Sequence, residues 1–376
     1  MFGRSLLGFS FVANPDKLIR MKDFLIIGGG MAGLSTAARL SELGSVVLLE
    51  AEDALGYHAS GRSAAMFEEN YGSPSTIALN RASRAYHEAA GVLSPRGFLC
   101  VGLPHEDAAT GETIAELGMD EVTLAEARAM VPIIADEITR AGYHHDALEI
   151  DTDTLLQGFA RTARGNRAEI VTKAPVSAIA RTELGWAAIA PGATYEARIL
   201  VNAAGAWVDE IAKLAGIAPL GVTPCRRSMA RVPAPGGQDV GGWPVLFGPG
   251  ETWYAKPDAG KWLISPADED PVPPQDAWAD DMVLAEGIAR YEAHVTEPVT
   301  RVEMTWAGLR TFSPDRSLVI GRDPAEETFV WVAGQGGYGI QSCPAYSQLA
   351  ADVLGGRAAE LDPSVVQALS PARFQR

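Results

Sequence analysis

The chain is poor in cysteine: its 376 residues contain three, Cys100, Cys225 and Cys343. Three cysteines so far apart, with no Cys-x-x-Cys pair among them, argue against a disulfide framework and a structural zinc site. The six histidines do not supply a metal site either, because the adjacent His144 and His145 would point to opposite faces of a strand. We therefore expect no bound metal ion.

Long hydrophobic runs and positive charge are also scarce. No apolar run approaches the roughly 20 residues that a membrane-spanning helix needs. The formal net charge is -16, from 31 basic and 47 acidic side chains, and such a field disfavours nucleic acid and anionic membrane surfaces as partners. Residues 1–20 only loosely resemble a signal peptide and precede Met21. We interpret them as an N-terminal extension and expect a cytoplasmic protein.

Glycine, by contrast, is plentiful, and its spacing near the N-terminus is the most informative motif. A short apolar run, typical of a buried parallel strand, precedes Gly28-x-Gly30-x-x-Gly33. The first glycine permits a tight strand-to-helix turn, the second lets the backbone approach a pyrophosphate, and the third allows close packing of helix on strand. The next predicted strand ends on Glu50, 22 positions after Gly28 (50 − 28), where a carboxylate can bind a ribose.

With the helix amides of Met31 and Ala32, this pattern predicts a dinucleotide site at a helix N-terminus. Glu50 would repel a 2′-phosphate, which disfavours NADP, but the motif does not distinguish FAD from NAD. We expect the helix to span residues 34–43 and to end with Gly44 in the C′ position.

Strand–turn–helix units typical of nucleotide-binding folds lie near both ends of the chain, with a strand-rich block between them. We predict strands at residues 24–27, 46–49, 169–171, 176–180, 186–189, 199–201, 225–232, 252–256, 261–264 and 329–333, and helices at 152–163 and 344–354. The economical arrangement is a discontinuous nucleotide domain with a second domain inserted into it.

Four more glycine-containing segments follow the first motif in order, at residues 56–65, 201–207, 305–310 and 334–341. The ordered combination resembles the D-amino-acid oxidase superfamily of FAD-dependent oxidoreductases, the group that contains glycine and sarcosine oxidases. Within this superfamily, the residues of these segments are most similar to those of the bacterial D-arginine dehydrogenases. The resemblance spans nearly all of residues 22–370. It implies noncovalent FAD, because Gly308 and Ser63 stand where relatives attach the flavin through cysteine or histidine.

The resemblance implies an α/β fold with two domains. One is a discontinuous Rossmann-like FAD-binding domain of residues 21–95, 145–215 and 318–376. The other is a mixed α+β substrate domain of residues 96–144 and 216–317, with a large, mostly antiparallel sheet.

The same resemblance implies a set of FAD contacts. The loop that contains Arg62 would wrap the pyrophosphate and the flavin edge, and a helix starting near Ser342 and Pro344 would direct its dipole at the flavin pyrimidine. The implied cofactor residues are Gly28, Gly30, Met31, Ala32, Gly33, Glu50, Ala51, Ser60, Arg62, Ser63, Val176, Ala204, Gly205, Trp207, Gly308, Gly336, Gly337, Tyr338, Gly339, Ile340 and Gln341.

Arginine is the natural clamp for a substrate carboxylate, because its planar guanidinium makes two parallel charge-assisted hydrogen bonds. Arg310, expected in a loop just after Gly308, is the strongest candidate. Arg227 is second. Arg226 would point to the opposite face of the same strand, and the general superfamily pattern favours Arg226 whereas the arginine dehydrogenases favour Arg227.

Three further residues are implied substrate contacts. Tyr254 and Tyr71 match tyrosines that line the substrate in the resembled enzymes, although a buried tyrosine with a satisfied hydroxyl is an equal alternative for each. Gly337 would present a backbone carbonyl to the substrate ammonium group.

The sequence departs from the arginine dehydrogenases near the substrate. Met66 replaces a histidine, and Phe98 replaces the acidic residue that meets the guanidinium. An unpaired buried guanidinium would cost about 3–5 kcal/mol, so we expect a neutral or apolar substrate side chain. Glu68 and Glu69 could supply a carboxylate, but we interpret them as a solvated loop pair.

The sequence therefore predicts FAD-dependent oxidation of a small D-amino acid to the imino acid by hydride transfer to flavin N5. Hydrolysis then releases an oxo acid and ammonia. The alternatives are an N-methyl or other secondary-amine oxidase of the glycine or sarcosine type, a flavin-binding subunit of a multicomponent dehydrogenase, and an NAD-binding dehydrogenase. Oxygen and a quinone both stay open as the electron acceptor.

Overall fold

The computed structural model describes residues 21–374, so the predicted extension of residues 1–20 lies outside the described residues. The strands, in chain order, are β1 Lys22–Ile27, β2 Val46–Leu49, β3 Met66–Phe67, β4 Leu93–Pro95, β5 Phe98–Gly102, β6 Asp120–Glu121, β7 Arg140–His144, β8 Leu148–Ile150, β9 Glu169–Val171, β10 Ala178–Arg181, β11 Trp186–Ala190, β12 Ala193–Asn202, β13 Thr223–Val232, β14 Val245–Phe247, β15 Tyr254–Asp258, β16 Lys261–Ser265, β17 Met304–Phe312, β18 Val319–Arg322 and β19 Phe329–Ala333.

The α-helices are distributed along the whole described chain, and short 3₁₀ turns supplement them. In chain order they are α1 Met31–Leu40, α2 Pro74–Ala90, α3 Asp107–Leu117, α4 Leu124–Met130, α5 Thr152–Gly165, α6 Val208–Leu214, α7 Asp281–Glu292, α8 Cys343–Gly355 and α9 Pro363–Leu369. Within residues 21–374, no helix combines the length and the apolar character needed to cross a membrane.

The first sheet has a parallel centre. Strand β1 pairs in parallel with β2 and β12, β2 continues to β9, and β12 continues to β19. Strands β10, β11 and β18 extend the sheet in antiparallel fashion. Every residue of β2 and β19 is buried, because helices α1, α5 and α8 cover one face and α6 packs on the other.

The second sheet is mostly antiparallel and runs in the order β17-β13-β16-β15-β14-β5-β7-β6. Its exception is the parallel pair β14–β5. A small third sheet joins β3, β8 and β4. A Rossmann-like parallel unit together with a large antiparallel sheet confirms the α/β class and the architecture that the sequence predicts.

The chain crosses between the two large sheets more than once. Strands of the first sheet lie within residues 21–95, 145–215 and 318–376, and those of the second lie within 96–144 and 216–317. The division of the chain into domains at these boundaries stays a prediction.

The predicted bounds of strands and helices were correct for two fully buried strands and wrong at the ends of some other elements. The strands at 46–49 and 329–333 are confirmed at both ends. Helix α1 instead spans Met31–Leu40, so Gly44 is not its C′ residue. A Cβ at Gly44 would lie 2.8 Å from the Asp23 carboxylate, and close approach to that side chain accounts for the glycine.

Gly33 is expected to tolerate no side chain, although it lies in a helix. A Cβ there would overlap the Gly28 carbonyl oxygen, whereas a Cβ at Gly158 in α5 has its nearest neighbour at 3.9 Å. We expect Gly33→Ala to lower the free energy of unfolding by about 1–3 kcal/mol through overpacking. The matched Gly158→Ala should raise it by about 0.5–1 kcal/mol through helix propensity.

Urea denaturation of the ligand-free protein measures both changes, since bound ligand adds to stability. An unfolding midpoint for Gly33→Ala at or above that of the unaltered protein would contradict the assigned contact.

Candidate active site

The glycine turn joins three elements at one point. Gly28 follows β1 with φ +111°, a conformation that favours glycine, and its N–H donates to the Leu49 carbonyl at 2.9 Å. A Cβ at Gly28 would overlap the carbonyl of Ala203 at the end of β12, and Gly33 of α1 lies against the Gly28 carbonyl. The ends of β1 and β12 and the first turn of α1 are therefore in direct backbone contact.

The N-terminus of α1 has no cap from its own N-cap residue, and within the described chain only its first amide is bonded to a side chain. Its N-cap residue Gly30 makes no side-chain hydrogen bond, and the Met31 amide donates to Ser60 Oγ at 2.9 Å. A Cβ at Gly30 would meet only that hydroxyl, at 3.2 Å. The open first turn carries partial positive charge, which suits a phosphate group.

Glu50 is held rigidly beside this turn. It is buried, one carboxylate oxygen accepts from the Gly29 amide at 2.6 Å, and the other accepts from the Glu52 amide at 2.8 Å. Because each carboxylate oxygen has two lone pairs, acceptor capacity remains for ribose hydroxyls.

These elements line cavity A, which has a volume of about 470 Å³, within the range of small-molecule sites. Gly33 and Tyr338 do not line cavity A, and Gln341 lines a second cavity that adjoins it and is described below. The other predicted cofactor residues all line cavity A: Gly28, Gly30, Met31, Ala32, Glu50, Ala51, Ser60, Arg62, Ser63, Val176, Ala204, Gly205, Trp207, Gly308, Gly336, Gly337, Gly339 and Ile340.

Three buried polar atoms in the wall of cavity A have no hydrogen-bond partner among the described residues: Arg227 Nε, Thr311 Oγ1 and Gln335 Nε2. Buried polar atoms are nearly always paired, so a ligand with a polar edge fits this wall. FAD has such an edge on its isoalloxazine ring, and its pyrophosphate and ribose match the α1 terminus and Glu50. The residues present therefore fit FAD.

The guanidinium of Arg62 is directed at protein acceptors, not left free for the pyrophosphate. Its Nε donates to the Tyr57 carbonyl at 3.2 Å, and one terminal nitrogen donates to the carbonyls of Ala277 and Ala307, each at 3.0 Å. The other terminal nitrogen donates to the Asp276 carboxylate at 2.6 Å. Arg62 thus ties its loop to two distant segments of the chain.

Helix α8 begins near cavity A as predicted, but with different cap chemistry. Ser342 is the N-cap residue and makes no side-chain hydrogen bond to the helix amides. Its hydroxyl donates to the Tyr338 carbonyl at 2.6 Å. The first-turn amides of α8 are satisfied by other groups: the Cys343 amide donates to the Ile340 carbonyl at 3.4 Å and the Ala345 amide donates to Ser83 Oγ at 3.2 Å.

A connected cluster of charged and phenolic groups lies beside the cavity. Arg310 donates to the Tyr71 hydroxyl at 3.2 Å, and Tyr71 donates to Glu251 at 2.7 Å. Arg227 lies 3.4 Å from the carboxylates of both Glu251 and Glu269. Arg310 is 3.9 Å from Glu251, which is beyond hydrogen-bond distance.

Burial controls the protonation of this cluster. Burial and the nearby Glu251 charge raise the pKa of Tyr71 well above its ordinary value. For Arg310 burial alone lowers the pKa, but the neighbouring Tyr71 and Glu251 groups outweigh it and raise the pKa. The site therefore combines a permanent cation with a neutral phenol that can donate a hydrogen bond.

Adjacent arginines of β13 diverge, as alternation along a strand requires. Arg227 lines cavity A. Arg226 instead pairs with Asp268 at 3.1 Å and Asp270 at 2.8 Å. Arg310 was expected in a loop, but it lies within strand β17, where backbone pairing to β13 holds it.

Cavity B, about 610 Å³ in volume, adjoins cavity A. Ser63, Ala64, Tyr254, Arg310, Gly337 and Ile340 line both cavities, whereas Tyr71 lines cavity B alone. The Tyr254 hydroxyl is buried and contacts Met229 Sδ at 3.3 Å. The two cavities therefore meet at Arg310.

The wall of cavity B combines apolar side chains with the carboxylates of Glu68, Glu116 and Glu251. Its hydrophobic members are Ala64, Ala65, Met66, Ile77, Phe98, Leu117, Val245, Phe247 and Ile340. The rings of Phe98 and Phe247 pack edge to face with centroids 5.6 Å apart. Lys256 also contributes to the wall, but its ammonium group is paired with Glu149 and donates to a backbone carbonyl.

Glu68 is not the solvated residue that we expected. It is 2% exposed and lines cavity B, and its carboxylate accepts hydrogen bonds from His144 Nδ1 at 2.7 Å and the Asn70 amide at 3.0 Å. Glu69, in contrast, forms a partly exposed ion pair with Arg84. The chain reversal after β3 buries one residue of the pair and exposes the other.

Sequence reasoning missed Glu251, Thr311 and Gln335. The Pro249-Gly250 pair indicates a turn, but no local pattern shows that Glu251, at φ +57°, directs its carboxylate at two arginines. Thr311 and Gln335 lie next to predicted site residues in sequence. That proximity was the available signal.

Comparisons with known proteins agree with this geometry. The model of the family described as "DAO: FAD dependent oxidoreductase" matches residues 23–353. Glycine oxidase of Bacillus licheniformis is 25% identical over 371 residues, covering 88% of this chain and 92% of that protein. FAD-dependent oxidoreductase domain-containing protein 1 of Xenopus laevis is 26% identical over 177 residues, which cover 43% of this chain and 35% of that protein.

Among solved structures, L-proline dehydrogenase from P. horikoshii has a TM-score of 0.80 at 21% identity. The likeness covers 95% of this chain and 98% of that one. At this level of identity, the likeness shows a shared fold.

Glu68 should make stability depend on pH. Burial raises the pKa of the Glu68 carboxyl above its usual value, although Asn70 and His144 act in the opposite direction. Because the folded-state pKa is raised, the folded protein favours the protonated carboxyl. The stabilisation from protonated Glu68 is fully present below the unfolded-state pKa, and it is lost as pH rises through the folded-state pKa. The free energy of unfolding of Glu68→Gln should therefore increase relative to that of the unaltered protein as pH rises above the unfolded-state pKa of a glutamate, about 4.3.

Urea titrations on both sides of that pH measure the difference, with Glu69→Gln as the partly exposed control. A difference that is constant with pH, or that moves in the opposite direction, would be evidence against a buried, destabilised carboxylate.

Proposed function

Because the chain belongs to the DAO family of FAD dependent oxidoreductases, we propose that it oxidises the carbon–nitrogen bond of a small D-amino acid with a neutral or apolar side chain. The observation that carries this proposal is the position of Arg310. Its guanidinium stands where cavity A meets cavity B, so a carboxylate bound there leaves the rest of the substrate between the two cavities.

Carboxylate binding is the first task of the site. Arg310 and Arg227 come from the paired strands β17 and β13, and five N–H donors on each guanidinium exceed the contacts each makes to protein. The Tyr71 hydroxyl lies within hydrogen-bond distance of Arg310. A substrate carboxylate at this position would gain charge-assisted hydrogen bonds from the arginines.

The loop of residues 334–341 lies beside the Arg310 guanidinium. A Cβ at Gly337 would lie 2.9 Å from the Arg310 guanidinium carbon, so glycine allows this loop to pack against the clamp. A backbone carbonyl of the loop is then available to accept from the substrate amine. Bound FAD would supply the hydride acceptor, and orientation by the protein would aim the Cα–H at it.

The chain's own residues supply orientation, not a dedicated base. Oxidation removes a hydride from Cα and a proton from nitrogen, which leaves an imino acid. Water then converts the imino acid into an oxo acid and ammonia. Tyr71 stays protonated because its pKa is raised, so it serves as a hydrogen-bond donor.

Cavity B supports a side chain larger than that of glycine. Its volume of about 610 Å³ would be empty with glycine or sarcosine as substrate. Phe98 and Phe247 provide an apolar surface, and Lys256 is neutralised by Glu149. Glu68 also lines cavity B, but His144 and Asn70 already engage its carboxylate. We therefore assign the apolar surface, and not this carboxylate, to the substrate side chain.

The proposal is tested by anaerobic mixing of the FAD-loaded protein with amino acids while the flavin absorbance is followed. We expect D-methionine, D-leucine and D-phenylalanine to bleach the flavin faster than D-arginine, glycine, sarcosine or the L-enantiomers. Faster bleaching by sarcosine would favour the secondary-amine alternative, and faster bleaching by L-enantiomers would reverse the assigned stereochemistry. No bleaching by any amine would favour a subunit that needs a partner chain.

Arg310→Ala should weaken substrate binding selectively. Loss of a bidentate charge-assisted contact is expected to raise the KM for the best substrate by about 100-fold, with FAD content unchanged. Arg301→Ala is the matched control, because Arg301 pairs with Glu303, is 68% exposed and lines neither cavity. Steady-state kinetics with both variants measure the effect, and a KM for Arg310→Ala within twofold of the control would exclude the clamp.

A further inference from the structure

Residues 271–280, which we name the crossing segment, pass along the wall of cavity A. The segment joins β16 to α7 and contains no helix or regular strand. Its start is attached to β13, since the Val272 amide donates to the Pro224 carbonyl at 3.0 Å. Further on, Gln275 and Ala277 line cavity A. The crossing segment therefore forms part of the cavity wall without the support of a sheet.

A small apolar cluster holds the middle of the crossing segment. Buried Ala277 packs with Ala206, Ala307 and Leu309, and Val272 packs against the same cluster. Ala206 follows β12 of the first sheet, whereas Ala307 and Leu309 belong to β17 of the second. The segment thus bridges the two halves of the cavity wall. Alanines bury little area, so this cluster alone is a weak attachment.

Arg62 reinforces this weak attachment with a set of hydrogen bonds to residues 276, 277 and 307, which we name the clasp. Its guanidinium binds the Ala277 carbonyl and the Asp276 carboxylate of the crossing segment, and also the Ala307 carbonyl of β17. Tyr57 completes the clasp, with its hydroxyl 3.5 Å from Asp276 and its ring 5.2 Å from the guanidinium carbon. The loop of residues 56–65, the crossing segment and β17 are joined by one side chain.

The geometry of the clasp requires arginine. Arg62 serves acceptors in three directions, which a planar fork of five donors can do and a single ammonium group cannot. Arg62 is 15% exposed, whereas Asp276 is 59% exposed. The ion pair therefore lies at the rim of the cavity, with its cation inside and its carboxylate facing solvent.

We propose that the crossing segment, clasped by Arg62, retains FAD in cavity A, and that FAD leaves only when the Arg62–Asp276 contact opens. This inference rests on the assignment of cavity A to FAD, and not on the identity of the substrate. It gives Arg62 the role of a positioning residue for the cavity wall instead of a direct ligand of the pyrophosphate.

The test measures the rate of FAD release from the holoenzyme. Released FAD is followed by its fluorescence after dilution, in the unaltered protein, Arg62→Lys and Asp276→Asn. We expect release to be about two- to fivefold faster in either variant, as for the loss of a partly exposed charged contact. The double variant should release FAD no faster than the faster single variant, because both changes open one clasp.

Arg140→Lys is the matched control. Arg140 is partly exposed and pairs with Glu121 on the far edge of the second sheet, away from cavity A, so its replacement should not change the release rate. Urea unfolding of each FAD-free variant provides a second readout, and a retained midpoint separates loss of the clasp from loss of the fold. If Arg62→Lys does not fold, Asp276→Asn decides the question at a solvent-exposed carboxylate.

Glu50→Ala separates failure of this inference from failure of the cavity assignment. If Glu50→Ala weakens FAD binding while Arg62→Lys and Asp276→Asn release FAD at the unaltered rate, the clasp has no role in retention. If Glu50→Ala also leaves FAD binding unchanged, cavity A is not the FAD site.

Discussion

The close backbone contact between the glycine turn and the first helix is the constraint on which the site depends. Gly33 can lie against the Gly28 carbonyl because Gly33 carries no Cβ, and Gly28 can lie against the Ala203 carbonyl for the same reason. These contacts bring the N-terminus of α1 to the end of β1, where parallel strands from distant parts of the chain also end. Any side chain at Gly33 would separate the helix from the strand and move the amides away from Glu50.

The second sheet places charge at the opposite wall of the same cavity. Burying Arg310 is costly, and Tyr71 and Glu251 offset that cost by hydrogen bonding and by opposite charge. A buried cation that already has a protein carboxylate nearby is stable before substrate arrives, yet it keeps donors for another carboxylate. Phe98 and the other apolar residues of cavity B then surround whatever is attached to that carboxylate.

Much of the fold and part of the candidate site could be predicted from local patterns. The strand at 46–49 is a continuous apolar run because both of its faces are buried, and its ends are therefore marked by polar residues. Gly44 misled us, because a glycine after a helix has two explanations, a left-handed cap or a close neighbour, and sequence does not distinguish them. Arg310 was assigned to a loop because its partner in the paired strand, Cys225, is 85 residues away in the chain (310 − 225).

The sequence by itself determined the glycine-rich turn between strand and helix, the position of Glu50 at the end of the next strand, the α/β class and the family. Each depends on spacing within one segment, or on the order of segments along the chain. Tertiary structure alone decided that Arg227 lines the cavity and Arg226 does not, that Glu68 is buried, and that Arg62 binds Asp276. These outcomes depend on contacts between residues far apart in the chain, and the energy of a buried charge is set by such neighbours and not by the local sequence.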